Sequence, residues 1–339
     1  MLLADLGAEV ITIHRPGPGA PGLLDRGKRS IALDLKAPED LATARALVAS
    51  AEALIEGLRP GVMERLGLGP KDCQALNPAL VYARMTGWGQ EGPLAPLAGH
   101  DLNYLARAGV LWFAGLPGDV PMPPPAMVGD IGGGAMYLAV GLLAGVMRAR
   151  ATGQGTVVDA AIVDGSAHML ALLLSLRPPG AQGFARGSGA LDGAHWSRSY
   201  ATADGRHVAV QAYEPKFYAL LLEGLGMAGD PAMEAQHDPA QWPAQRARLA
   251  EAFASQPLAH WQALFGASDA CVAPVLPPDE AAADPHMAAR GTWQQVGGRL
   301  QPAPAPRFDG QRAGIAAAPA RDQHRAEILA ELRRRGLLP

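Results

Sequence analysis

The chain is short of cysteine, of aromatic side chains and of net charge, and each shortage removes a class of protein. Only Cys73 and Cys271 occur among 339 residues, far apart and outside any CxxC pattern. Neither a disulfide framework nor a thiolate metal site is therefore expected, and a reducing compartment fits. Twenty-nine basic residues stand against 32 acidic ones, which leaves no electropositive surface for nucleic acid or an anionic membrane. The nine histidines, at 14, 100, 168, 195, 207, 237, 260, 286 and 324, include no pair at zinc-ligand spacing, so no metal is expected. The longest apolar run, AMYLAVGLLAGVM at 135–147, is too short to span a bilayer, and Met1 opens no positively charged leader. These exclusions point to a cytoplasmic protein that acts on a small molecule, with no nucleic-acid or membrane partner.

What is present is apolar bulk. Hydrophobic residues make up 49% of the chain although aromatics supply only 5%, so the core must be built from Ala, Leu and Val, and the length suits two domains. The opening LLADLGAEVITIHRP alternates a helical stretch, a Gly7 stop and an extended run. The same rhythm returns in LATARALVASAEALIEGLRPG, in LVYARMTGWG (80–89) and in GTVVDAAIVDGSAHMLALLLSL (155–176). Repeated helix-strand alternation predicts an α/β fold with an open, mostly parallel sheet. Near 177 the composition shifts to a Gly/Pro-rich linker, and SYATADGRHVAVQAY reads as a hairpin around Asp204-Gly205, the start of a smaller α+β domain. After a Pro-rich tract at 300–310, HRAEILAELRRRG is a helical pattern able to dock back on the first domain.

Two motif matches have plain explanations. GPGAPG (17–22) fits the dinucleotide pattern GxGxxG, but Pro18 and Pro21 remove two of the N–H donors that the pattern exists to supply, so a loop is expected. DGSAH (164–168) offers Asp, Ser and His without the elbow that would expose a nucleophilic serine.

Three residues have competing readings. His100 precedes a helical stretch whose buried face is predicted to be Leu102, Leu105, Ala106 and Gly109, with Asp101 as N-cap. There it is either a core or capping residue, or a neutral ring held ready as a base by the positive end of a helix dipole. Asp130 opens the apolar run through three glycines at 132–134; it is either an N-cap or a proton-transfer group beside glycine-bared N–H donors. Glu214 stands before Pro215, at the start of KFYALLLEGLG, as a cap or as a partner for His100.

The stretches LLADLGAEVITIHRP, RPGVMERLGLGP, LVYARMTGWGQEGP, AGHDLNYL, VGDIGGG, GQGTVVDAAIVDGSAHML, DGRHVAVQAYEPKFY and SDACVAPVL run across most of the chain. Together they resemble the family III CoA-transferase (CaiB/BaiF) superfamily, and within it the α-methylacyl-CoA racemases. The resemblance implies a Rossmann-like large domain from residues 1–180 and 301–339, with a linker and small domain at 181–300. It also implies an interlocked homodimer with its active site at the interface. Carried over by motif, the catalytic groups are His100 of GHD, Asp130 of GDIGGG and Glu214 of EPKFY. CoA contacts fall on Arg15, Leu33, Asp34, Leu35, Lys36, Gly57, Leu58, Arg59 and Arg65, and on Gly99, Asp101, Leu102, Asn103 and Tyr104. CoA belongs to the substrate, so no separate cofactor is expected.

The implied activity is epimerisation of 2-methylacyl-CoA thioesters through an enolate. Transferases of the superfamily use the aspartate at the position of Asp130 as a nucleophile that takes the acyl group as an anhydride. A non-catalytic acyl-CoA binder is a third reading. Two departures accompany the resemblance: family members begin earlier, with a first strand and a Gly/Pro-rich turn, so either the start lies upstream of Met1 or the sheet lacks that strand, and LDGAHWSRSY (191–200) replaces a stretch that reads more like LDGGAPFYDTY in the racemases.

Overall fold

Each helix-strand alternation in the N-terminal half folds as a helix followed by a parallel strand. Strands β1 (Ile11–His14) and β2 (Arg29–Ala32) pair in parallel, with Ile11 opposite Arg29. Strands β3 (Ala53–Glu56), β4 (Val81–Thr86) and β5 (Thr156–Ala161) make a second parallel sheet in that order. The computed structural model describes residues 1–177 and 183–339, and the expected boundary at 180–181 lies outside the described residues.

The chain divides into two compact units: Met1–Tyr104 with Gly129–Gly165 and Pro278–Pro339, and Leu105–Val128 with Ser166–Pro277. In the first unit, the crossover from β2 to β3 is the helix Pro38–Ser50, begun by proline at its first position and by Glu39 and Asp40 against its positive end. It buries Ala44, Ala46 and Val48 beside Ile31, Leu33, Leu80 and Tyr82. The C-terminal helix Arg325–Arg334 closes the same core with Ile328 and Leu332. GPGAPG is loop, as Pro18 and Pro21 dictate, and DGSAH lies within the helix Ile162–Met169.

The second unit contains β6 (Ser197–Ala201), β7 (His207–Gln211) and β8 (Val272–Pro274), all antiparallel. Its hairpin turns at Asp204-Gly205, where Gly205 takes φ 74°, a value that glycine adopts without strain. Trp196, Tyr200, Phe253, Trp261 and Phe265 join Leu221 and Leu249 in its core. The scarce aromatics are thus concentrated in the core of the second unit.

On returning to the first unit the chain makes a second hairpin, β9 (Trp293–Val296) and β10 (Arg299–Pro302), turned by Gly297 and Gly298 at φ 57° and 73°. The Pro-rich tract therefore begins as a strand. Arg26, fully buried, holds this hairpin to the chain start: it forms a bidentate pair with Asp5 (3.0 and 2.6 Å) and donates to the Pro302 carbonyl at 2.8 Å.

The apolar helix is longer and less central than its composition predicts. A π-helical stretch, Met127–Ala135, runs directly into the α-helix Met136–Thr152. The combined 26 residues, with an 18-residue window of mean hydropathy 1.5, are long and apolar enough to cross a bilayer, a test that core helices of soluble proteins also pass. One face lies on β4 and β5 through Leu138, Leu142, Gly141 and Gly145. The other leaves Val140 65% and Met147 73% exposed. Gly133 meets Gly165 of the next helix so closely that a Cβ on Gly165 would fall 1.9 Å from the Gly133 carbonyl oxygen. Replacing Gly165 with alanine should cost roughly 1–3 kcal/mol or more, because backbone rather than a side chain must yield. The check is the urea midpoint of the variant against that of the parent.

Candidate active site

Parallel sheets present their functional loops beyond the carboxyl ends of the strands, and the candidate residues follow this rule. Arg15 follows β1, Leu33 to Lys36 follow β2, and Gly57 to Arg59 follow β3. His100 lies on the connection leaving β4, and the helix bearing Asp130 packs Gly134 against Ile162, the residue after β5, and against Met85 of β4.

The segment around His100 is anchored by aromatic packing. The Tyr104 ring is buried edge-on to Trp88 at 4.8 Å between centroids, and its hydroxyl donates to the Gly99 carbonyl. Gly87 and Gly99 admit the ring: a Cβ at either would lie 1.9 or 2.6 Å from it. His100 begins the helix Asp101–Arg107. Its carbonyl accepts from the Asn103 N–H at 2.8 Å and its own N–H donates to the Asn103 side chain at 3.1 Å, a reciprocal cap.

Asp101 is therefore not the N-cap. It is the first helical residue, and its buried carboxylate accepts the main-chain N–H of Asp130 at 2.8 Å. The buried face is likewise different: Asp101, Tyr104 and Leu105 point inward, while Leu102 is 44% exposed and Ala106 is exposed. The polar pairing to Asp130 rotates the helix away from the face chosen by hydrophobicity alone. Asp130 is not an N-cap either, since it lies inside the first turn of the π-helical stretch.

Burial raises the affinity of the half-buried Asp130 carboxyl for its proton, the like charge of Asp101 adds to this, and His100 acts in the opposite sense. Burial, and then the Asp130 charge, also raise the Tyr104 phenol. The structure thus brings His100, Asp101, Tyr104 and Asp130 to one locus. Glu214 lies in the second unit, exposed, at the start of the helix Pro215–Gly224, and its side chain makes no capping hydrogen bond.

The expected CoA contacts separate into two kinds. Arg15, Asp34, Lys36, Gly57, Leu58, Arg59 and Arg65 are exposed, and among the described residues Arg15, Lys36, Arg59 and Arg65 enter no ion pair. Leu35 is half-buried. Leu33 is a core residue, and Asp101, Asn103 and Tyr104 commit their side chains within the protein, so these positions offer a ligand chiefly their backbone.

A polar cluster that no motif marks supports the loop after β3. Glu56 accepts Arg84 Nε at 2.8 Å with one oxygen and the Leu58 N–H at 2.7 Å with the other. Arg84 also reaches Glu64 at 2.9 Å. The available signal was a charged residue inside each of the apolar strands ALIE and VYARMT.

Residues 1–325 match the model of CoA-transferase family III. The chain belongs to that family. Among its relatives, alpha-methylacyl-CoA racemase of Mus musculus is 40% identical over 335 residues, 98% of this chain and 88% of the relative. Acetyl-CoA:oxalate CoA-transferase of Acetobacter aceti is 31% identical over 328 residues, 89% and 82% respectively. A CaiB/BaiF family protein of Brucella suis has a similar solved structure, with TM-score 0.77, 26% identity and coverage of 98% of this chain and 93% of that one. This family III member shares with that protein an α/β fold with parallel sheets.

Replacing Glu56 with alanine should destabilise the family III fold by about 3–5 kcal/mol, because it leaves a buried guanidinium short of a partner and frees the Leu58 N–H. Chemical denaturation of variant and parent measures this.

Proposed function

We propose that this chain inverts the α-carbon of 2-methylacyl-CoA thioesters by 1,1-proton transfer through an enolate. The observation that carries the reading is the pairing of a histidine with a half-buried aspartate at one locus beyond β4 and β5, its main chain held by Asp101. An α-proton of a thioester is weakly acidic, so epimerisation needs a base on one face of the carbon, an acid on the other and donors for the enolate oxygen. In the proposed cycle His100 removes the proton from one epimer while Asp130 delivers its own to the opposite face; the reverse reaction exchanges the roles. The enolate oxygen is assigned to main-chain N–H groups of the glycine-rich helix other than that of Asp130, which is held by Asp101.

Several parts of the reading rest on the family resemblance together with local features. Glu214 keeps the catalytic assignment that the family resemblance gives it, its carboxylate being exposed and free of any capping hydrogen bond. The exposed cations Arg15, Lys36, Arg59 and Arg65 suit the phosphates of CoA. No further cofactor or metal is proposed, and a cytoplasmic location accords with the composition. An interlocked homodimer is supported by Val140, Leu143 and Met147, an exposed apolar stripe that a second copy would cover. Light scattering on the purified chain should give twice the monomer mass; monomer alone would remove the dimer from the proposal.

The second reading, CoA transfer through an acyl anhydride on Asp130, draws support from the Acetobacter relative. In that reading the Asp130 carboxylate attacks the thioester carbonyl and His100 takes no part in the covalent step. The presence of His100 beside Asp130 and the 40% identity to a racemase favour racemisation. NMR of a single-epimer 2-methylacyl-CoA in D2O should show deuterium entering at the α-carbon with loss of epimeric purity and no need for an acceptor acid. His100→Ala and Asp130→Asn should each slow exchange by roughly 10²–10⁴-fold. Transfer of CoA to an added carboxylic acid without α-exchange would replace the racemase with the transferase.

A further inference from the structure

Asp101 is only 8% exposed, and a buried carboxylate needs compensation to remain charged. Its carboxylate accepts the Asp130 main-chain N–H, at 2.8 Å, donated from the first turn of the glycine-rich helix. Residues 132–134 are all glycine, and glycine gives a helix little stiffness of its own. An outside acceptor on Asp130 fixes the main chain just ahead of that soft stretch. The bond also spans the site, since Asp101 is covalently next to His100 and hydrogen-bonded to Asp130.

We propose that the buried Asp101 carboxylate is a positioning residue for Asp130: it clamps the Asp130 main chain and places a second carboxyl beside the reacting one. As a neighbour of like charge it also favours the proton-bearing form of the Asp130 side chain. The proposal rests on the racemase reading for its use in the reaction, not for the clamp itself. Three titratable groups bear on Asp130, namely Asp101, His100 and Tyr104. Asp101 favours its protonation, His100 opposes it, and the Tyr104 phenol feels the Asp130 charge in return. Burial acts in the same direction as Asp101 and is the larger cause.

The chemical consequence is an asymmetry between epimers. The epimer deprotonated by His100 is reprotonated by the acid form of Asp130. The other epimer requires ionised Asp130 as base, so its exchange rate climbs with pH as that carboxyl titrates. Taking away the Asp101 charge lowers the proton affinity of Asp130 and moves this limb to lower pH.

The test compares the parent with Asp101→Asn, which keeps an oxygen acceptor for the Asp130 N–H but removes the charge. Carboxyl ¹³C NMR on aspartate-labelled protein, with the Asp130 signal assigned by its loss in Asp130→Asn, should place Asp130 titration at lower pH in the variant. The acidic limb of deuterium incorporation into one epimer should move in the same direction. Asp101→Ala, which also breaks the clamp, should lower kcat more than it changes KM. If Asp101→Asn does not fold, Asp101→Ser retains an oxygen and serves the same comparison. Coincident Asp130 titrations in parent and variant overturn the proposal. A shifted titration in a protein that performs no α-exchange leaves the Asp101 role standing and refutes the racemase reading.

Discussion

A parallel strand cannot be joined to its neighbour by a tight turn, so each connection must leave one edge of the sheet and re-enter at the opposite edge. Within each of the two parallel sheets, that constraint sends all the carboxyl ends to the same side. The helices that join the strands are the ones that supply the core: Ala44 and Val48 between β2 and β3, Leu138 and Leu142 before β5. The loops that remain at the carboxyl edge are spared from core duty and are free to carry polar chemistry. His100 and the Gly57–Arg59 turn occupy such loops, and Asp130 lies where a helix returns beside them.

Two electrostatic arrangements support this edge in opposite ways. Glu56, Arg84 and Glu64 balance charge within the sheet, so their burial is satisfied by pairing and the loop main chain shares in it through the Leu58 N–H. Asp101 and Asp130 carry the same charge type and are connected only through a main-chain N–H. The first arrangement gives firmness. The second leaves one carboxyl with more affinity for a proton than an exposed aspartate has, a property suited to a group that gives up and regains one.

Much of the fold could be read from the sequence where apolar runs and breakers agreed. The β-branched run at Ile11–His14, the apolar run at Ala53–Glu56, and the Asp204-Gly205 hairpin all declared themselves through period and turn chemistry. The Gly297-Gly298 hairpin carried the same signal and was masked by the prolines that follow it. The helix at Asp101–Arg107 was misjudged for a physical reason: its orientation is set by Tyr104 packing on Gly87 and by an aspartate pointing inward, neither of which a hydrophobic periodicity can register. The long apolar helix misled in the other direction, because apolar residues all round do not require burial all round within a single chain. His100 and Asp130 were found through glycine-rich, helix-start contexts. Glu56, Arg84 and the clamping role of Asp101 depend on contacts between distant segments and left only single charges in apolar surroundings as a trace.

The core of the first unit takes its last two side chains, Ile328 and Leu332, from the C-terminal helix, and its buried Arg26 from near the start. The second unit is drawn from the middle of the chain and ends at Pro277. During synthesis, then, the middle unit has all its residues outside the ribosome while the first sheet still lacks a wall. Until the helix Arg325–Arg334 emerges, β2 and β4 must wait with an apolar flank uncovered, a period in which a growing chain is most open to chaperones and to wrong partners.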